Sequence, residues 1–267
     1  MDVAAGLPEE ILRDVEHLKV DRRGAGTDSF MVVHSIAGHV SPGVSYSLEP
    51  GRLVAETGSA EPGTVTRPTA APEAPPQVRL AGKWDAGVSI ETEQANILGD
   101  VGVLTLQTTA IEIPEAPATA GMMAHYGACL LEVGDTIRFD PNADLPVTLM
   151  EIGAGYVEEY LHVAEKGGGS YLEWHDRPHM HMPLDADAGG YLVLGRRDGD
   201  DYLVSAFRIP FGSAVYTPPD VIHADPYLTG HYLVIYSVTE NFANAVLRDP
   251  AGEVVNVRVM PPDGPDL

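Results

Sequence analysis

The stretch Glu173-Trp174-His175-Asp176-Arg177-Pro178-His179-Met180-His181, followed later by His223, gathers the side chains of this protein best suited to chemistry. Side chains alternate along an extended strand, so His179 and His181 share one face. His223, from a later strand, would complete a facial set of three ligands. Three neutral imidazoles suit a borderline divalent ion such as iron, zinc, copper or nickel. Glu173 and His175 likewise share a face of their own extended stretch. Whether the two faces coincide depends on the kink at Pro178, which blocks regular strand pairing at its own position. Glu173 therefore reads as a ligand, a general base or a surface acid. His175 reads as a ligand or as a group that orients the ligands.

The elements that must position these residues are mostly strands. Leu7, Ile11, Val15 and Leu18 recur at helical spacing, with Pro8 in the first turn and Glu9 and Glu10 at the positive end, so one short helix is expected over 7–20. After Gly24 and Gly26 the texture changes to short Val- and Thr-rich runs bounded by Gly or Pro: 29–36, 44–48, 102–113 and 128–133. Residues 156–160 read as a strand or a short helix, and Gly167-Gly168-Gly169 is a break. An extended stretch over 170–182 then leads into the histidines, and 190–195, 202–208, 213–217, 232–238 and 254–259 continue the strand pattern. With 28 Gly and 22 Pro, the chain reads as a β-sandwich or barrel with many turns. The Pro-rich segment 56–77 reads as an extended surface loop, or as an arm that wraps a partner or covers a site.

A second motif follows the histidine pair. Gly212 opens a turn, a short strand leads to Thr217-Pro218-Pro219, and His223 enters the next strand. With His179 and His181 as an H-x-H pair, Gly195 closing the first motif, and Gly212, Pro218 or Pro219, and His223 forming the second, residues 156–259 resemble the cupin family. That resemblance implies a small β-barrel (a double-stranded β-helix) with metal or substrate inside, and His179, His181 and His223 as the metal ligands. The family's usual glutamate would fall near Ala188 or Gly189, neither of which can ligate. The site is then a three-histidine site, or Asp185, Asp187, Glu173 or His175 supplies a fourth ligand. The segment 131–137 resembles the entry to another such motif, with Leu145 where the histidine would stand. The expected architecture is all-β. It comprises an N-terminal helix and lead-in (1–26), a degenerate cupin-like β domain (27–150) and a metal-binding cupin barrel (151–267), two tandem barrels in all.

Around the ligands, Glu173, His175 and Tyr216 are the catalytic candidates. Arg208, Arg177 and Trp174 are candidates for substrate binding. Arginine clamps carboxylate or phosphate through two parallel hydrogen bonds, and Arg208 shares a strand face with Tyr202, Val204 and Ala206. The bland alternatives are a surface ion pair for Arg208, a packed tyrosine for Tyr216 and barrel wall for Trp174. His17, His34, His39, His125 and His162 read as ordinary hydrogen-bonded histidines, and His231 as a strand start. These features point to a metal-dependent enzyme on a small polar hydroxy- or keto-substrate. An Fe(II) dioxygenase stands first, because a three-histidine face leaves positions open for substrate and dioxygen. A redox-neutral isomerase, epimerase or lyase acting on a sugar or hydroxy-acid with Zn, Mn or Ni is the alternative, and a non-catalytic barrel that binds a small ligand the third reading.

The bulk properties agree. A net charge of −23 spread over 267 residues argues against nucleic acid or anionic membrane as a partner. Cys129 is the sole cysteine, so internal disulfides and Cys-based zinc sites are excluded. Asp2, Glu9, Glu10, Asp14 and Glu16 are wrong for a signal peptide, and no apolar run reaches the ~20 residues of a membrane span. A cytoplasmic protein is expected, and the resemblance together with the Pro-rich arm suggests a homodimer. There is no phosphate loop and no nucleophile elbow.

Overall fold

The computed structural model describes residues 7–56, 69–86, 102–139 and 143–261. Strands dominate, as expected, and seven of them close a barrel. In order around the ring these are Leu192–Asp198, Ile222–Ala224, Tyr171–His175, Phe242–Arg248, Gly102–Leu106, Val78–Asp85 and Asp201–Phe207, which pairs back to the first. Ala110–Ala116 and Asn256–Met260 extend from Asp201–Phe207. A second sheet runs Asp21–Arg23, Phe30–Val40, Leu145–Ile152, Leu228–Ile235, His179–Pro183, Ser213–Thr217 and Cys129–Glu132, with Gly189–Gly190 attached to Leu228–Ile235. A small sheet of Arg52–Ala55, Ser45–Glu49 and Thr136–Arg138 packs beside it.

Residue 150 is not a boundary between these sheets. Val78–Asp85 and Gly102–Leu106 are staves of the same barrel as Tyr171–His175, and Phe30–Val40 and Leu145–Ile152 share a sheet with His179–Pro183. The division into 27–150 and 151–267 as tandem barrels is therefore corrected: the first half supplies strands to the sheets that carry the histidines. Leu145, read as the apolar replacement of a repeated histidine, is a core residue at 1% exposure. Of the Pro-rich segment, 57–68 lies outside the described residues.

Alternation sorts the side chains of His179–Pro183. Met180 and Met182 enter a core with Leu131, Phe139, Tyr216 and Leu233, while His179 and His181 face the other way. The larger core joins the barrel to the second sheet, with Leu104, Leu192, Val204, Phe207 and Val246 of the barrel and Met31, Ile152 and Tyr232 of the second sheet all buried. Each such side chain contributes about 1.5–3 kcal/mol by leaving water. The N-terminal helix spans Glu9–Leu18 and buries Ile11 and Leu18 against Ile36, Tyr236 and Val238. Among the described residues two other short helical segments occur, Ala120–His125 and a π-helical turn at Val157–Leu161. Gly168 and Gly169 adopt positive φ (75° and 115°), which explains why a glycine run follows that turn. Among the described residues no helix is long and apolar enough to cross a membrane.

Candidate metal centre

The expected stretch 170–182 is two strands in two sheets. Tyr171–His175 belongs to the barrel, the chain turns at Asp176, Arg177 and Pro178, and His179–Pro183 joins the second sheet. The turn brings the rings of His175 and His179 to 4.0 Å, so the two faces do coincide. Glu173 lies directly opposite His223 in the antiparallel ladder between Tyr171–His175 and Ile222–Ala224. The turn before His223 contains Asp220 at φ 65°, the only non-glycine with positive φ among the described residues. Aspartate tolerates that conformation, and the Asp220 N–H donates to the carbonyl of His175 at 2.8 Å. The two ligand-bearing segments are thereby tied together.

Glu173, His175, His179 and His223 converge, with one potential ligand atom from each within 4.8 Å of every other. His223 Nε2 lies 3.3 Å from His175 Nε2, 3.1 Å from His179 Nδ1 and 3.3 Å from Glu173 Oε1. Ligand atoms sharing an ion at about 2.0–2.2 Å stand roughly 2.8–3.6 Å apart for octahedral or tetrahedral neighbours. The protonation pattern points the same way. His175 Nδ1 faces the carbonyl of Arg177 at 2.5 Å, and His223 Nδ1 faces that of Val221 at 2.9 Å. Carbonyls only accept, so both Nδ1 atoms carry the proton and both Nε2 atoms present bare lone pairs to each other. A cation between them converts that repulsion into coordination. The four residues thus fit a divalent ion.

Electrostatics prepares the imidazoles. Burial holds His175 below the ordinary histidine range. Burial and then the neighbouring imidazoles hold His179 well below it, and His223 down to about 3. Neutral imidazole is the ligating form. Burial, reinforced by Asp225, raises Glu173 well above the usual carboxylate range, an effect a bound cation reverses.

His181 does not share this point. It is fully buried, and its Nε2 faces Asp225 Oδ2 at 3.4 Å, while its Nδ1 has no hydrogen-bond partner. Tyr171 donates to the other oxygen of Asp225 at 3.0 Å. Burial opposes the charge of Asp225, but His181, His223 and Tyr171 outweigh it and hold the carboxyl down to about 2. The expected set of His179, His181 and His223 is thus redrawn, with His175 and Glu173 at the convergence point and His181 behind it. Neither Asp185, 3.1 Å from His231, nor the exposed Asp187 belongs to the cluster.

Other expected site residues lie elsewhere. Tyr216 pairs with Met180 on the face opposite the histidines and packs on Phe139, so it does not reach the centre. Arg208 is half exposed, hydrogen-bonds Tyr191 at 2.9 Å and faces Glu115 at 3.8 Å. The Arg177 side chain lines a separate depression beside Glu10 and Asp14, and only its carbonyl serves the site. Trp174 points away from Glu173 and His175 and packs on the barrel core.

Beside the cluster lies a cavity walled by Val20, Val33, Met150, Val234 and Phe242. His17, expected to be an ordinary histidine, is exposed and lines it, so the cavity reaches the surface next to the helix. Tyr236 also lines it, donates to the carbonyl of Leu18 and packs its ring 5.9 Å from that of His179. Asn244 donates to Glu173 Oε2 at 3.5 Å. Sequence reasoning missed Asp225, Tyr236 and Asn244. Only Asp225 had a local signal, standing two residues after His223. No family model matches the chain, and no curated protein matches it either.

Proposed function

We propose that this chain is a metal-dependent enzyme of the cupin type, acting on a small hydroxy- or keto-compound as an Fe(II) dioxygenase. The observation that carries the reading is the convergence of His175, His179, His223 and Glu173 at the end of an apolar-walled cavity. A divalent ion bound there supplies a Lewis acid or, as iron(II), a centre where dioxygen and an organic substrate meet. Zn, Mn or Ni are the alternatives. The chain's own residues hold the site and exclude water. Asn244 fixes the Glu173 carboxylate, the carbonyls of Arg177 and Val221 fix the ring tautomers, and Val33, Met150 and Phe242 keep the approach apolar.

The preference for oxygenation does not rest on a bare three-histidine face, since Glu173 stands in the ligand set. It rests on the scarcity of free proton carriers beside the cluster, since His17 stands at the exposed mouth of the cavity and Asp225 is engaged with His181 and Tyr171. Tyr216 faces another core, Glu173 is engaged in the cluster, and the Tyr236 hydroxyl is engaged with Leu18. An isomerase or lyase needs such a group at the substrate.

Metal analysis of untagged protein, followed by oxygen uptake with Fe(II)-loaded protein and a panel of hydroxy- and keto-compounds, tests the reading. Stoichiometric metal and substrate-dependent oxygen consumption are expected. Turnover under strict anaerobiosis with Zn, Mn or Ni overturns the oxygenase and favours the redox-neutral enzyme. Absence of stoichiometric metal overturns both. The reading includes a homodimer, tested by light scattering.

A further inference from the structure

Resting on that reading, we propose that the site selects an uncharged hydroxy compound with a compact apolar body, and discriminates against carboxylates and phosphates. Among the described residues, no Lys or Arg lines the cavity. The arginines expected to clamp an anion, Arg177 and Arg208, are directed elsewhere. The buried Arg22 is aimed at the Tyr156 hydroxyl, 2.7 Å away, and does not line the cavity. Asp225 does line it. A divalent ion with one carboxylate ligand keeps one positive charge, and the Asp225 carboxylate beside it offsets that charge. The Arg22 guanidinium acts on Glu173 and Tyr236 only through space, so an anionic substrate exchanges water for an apolar wall with no cationic side chain to pair with directly, which is costly.

The polar groups on the wall specify what does fit. Asn244 is 5% exposed, and its amide nitrogen is committed to Glu173, which leaves Oδ1 as a buried acceptor without a hydrogen-bond partner. Ser237 Oγ, on the same cavity, is also buried and without a partner. Leaving such groups unmatched is unfavourable, and a hydroxyl donor satisfies an amide oxygen. The apolar side chains opposite accept the rest of the molecule.

Acetoin and lactate share a skeleton and differ in a neutral methyl ketone against a carboxylate, so they make a matched pair of probes. Both are titrated calorimetrically into the intact chain, with and without Co(II). Acetoin binding at least about ten-fold more tightly than lactate is the expected result. Ser237→Ala, which leaves the metal residues untouched, should weaken acetoin several-fold while Co(II) content stays unchanged. Equal or tighter binding of lactate, or no binding of acetoin to Co(II)-loaded protein, overturns the proposal and leaves the metal centre standing. Failure of Co(II) to bind sinks the metalloenzyme reading instead, and the acetoin–lactate ratio on the metal-free chain then decides the selectivity separately.

Discussion

Glu173 and His223 face each other across one rung of the barrel, with Glu173 Oε1 3.3 Å from His223 Nε2. Neighbouring strands lie about 4.8 Å apart, so a cross-strand pair offers two ligand atoms with little side-chain reach. The turn at Asp176–Pro178 then folds His179 over them from the other sheet.

Removing one of the converging imidazoles should abolish tight binding. His175→Ala and His223→Ala are each expected to lower affinity for Co(II) or Zn(II) by about 100-fold or more. Metal content after dialysis and isothermal titration check this. Stoichiometric metal in His175→Ala would restore the ligand set of His179, His181 and His223.

His181→Gln provides the complementary case. Its ring faces Asp225 rather than the convergence point, so the variant should keep its metal, with affinity reduced by about ten-fold at most. Loss as complete as in His175→Ala would show His181 to be a ligand.

Metal should stabilise the fold. Free ion at a hundred times its Kd adds about 2.7 kcal/mol, so chelator treatment should lower the melting temperature by about 5–10 °C for a chain of this size. Scanning calorimetry with and without EDTA measures the difference. The double variant His175→Ala/His223→Ala should not respond.

His162 should contribute to acid sensitivity independently of the metal. Burial holds it below the ordinary histidine value in the folded chain, where it meets Ser170 Oγ at 2.9 Å. Above about pH 6.5 both folded and unfolded forms are neutral, and the group has no effect on the slope. Below that, the unfolded chain takes up a proton that the folded chain resists, so stability falls as pH drops toward the folded value. Denaturant titrations of metal-free protein at pH 7.5 and 5.5 should show a smaller loss for His162→Gln. An identical loss would assign the acid slope to other groups.

Gly153 should not accept a side chain. A Cβ there would stand 1.8 Å from the carbonyl oxygen of Asp28, so Gly153→Ala must displace backbone. Such crowding costs about 1–3 kcal/mol, visible as a lower urea midpoint with normal metal content at saturation.

What the sequence made legible was local. The strand Ser213–Thr217 matched its expected bounds, the helix appeared within its expected span, and alternation alone put His179 and His181 opposite Met180. Besides the short strands Asp21–Arg23 and Arg52–Ala55, three longer ones escaped notice for physical reasons. Leu145–Ile152 contains Pro146, which argues against a central strand, yet it sits in the middle of a sheet with register shifts after Val147 and Leu149. Val78–Asp85 carries Arg79, Lys83 and Asp85 around Gly82, and Phe242–Arg248 opens with Ala243, Asn244 and Ala245, so neither carries a β-branched pattern. Missing Phe242–Arg248 hid Asn244, the partner of Glu173. The direction in which the chain leaves Pro178 is set by tertiary packing, and with it the choice between His175 and His181 as ligand.

The closed ring has a consequence for assembly in time. Phe242–Arg248 is the stave that joins Tyr171–His175 to Gly102–Leu106, running parallel to the latter. During synthesis from the N-terminus, the barrel stays open until that stave has been made, although Glu173, His175, His179 and His223 are already present. Contacts of such long sequence separation form slowly. An ion captured early by the four residues would hold two sheets together while the last stave is still awaited, making the metal a folding clasp before it is a reagent.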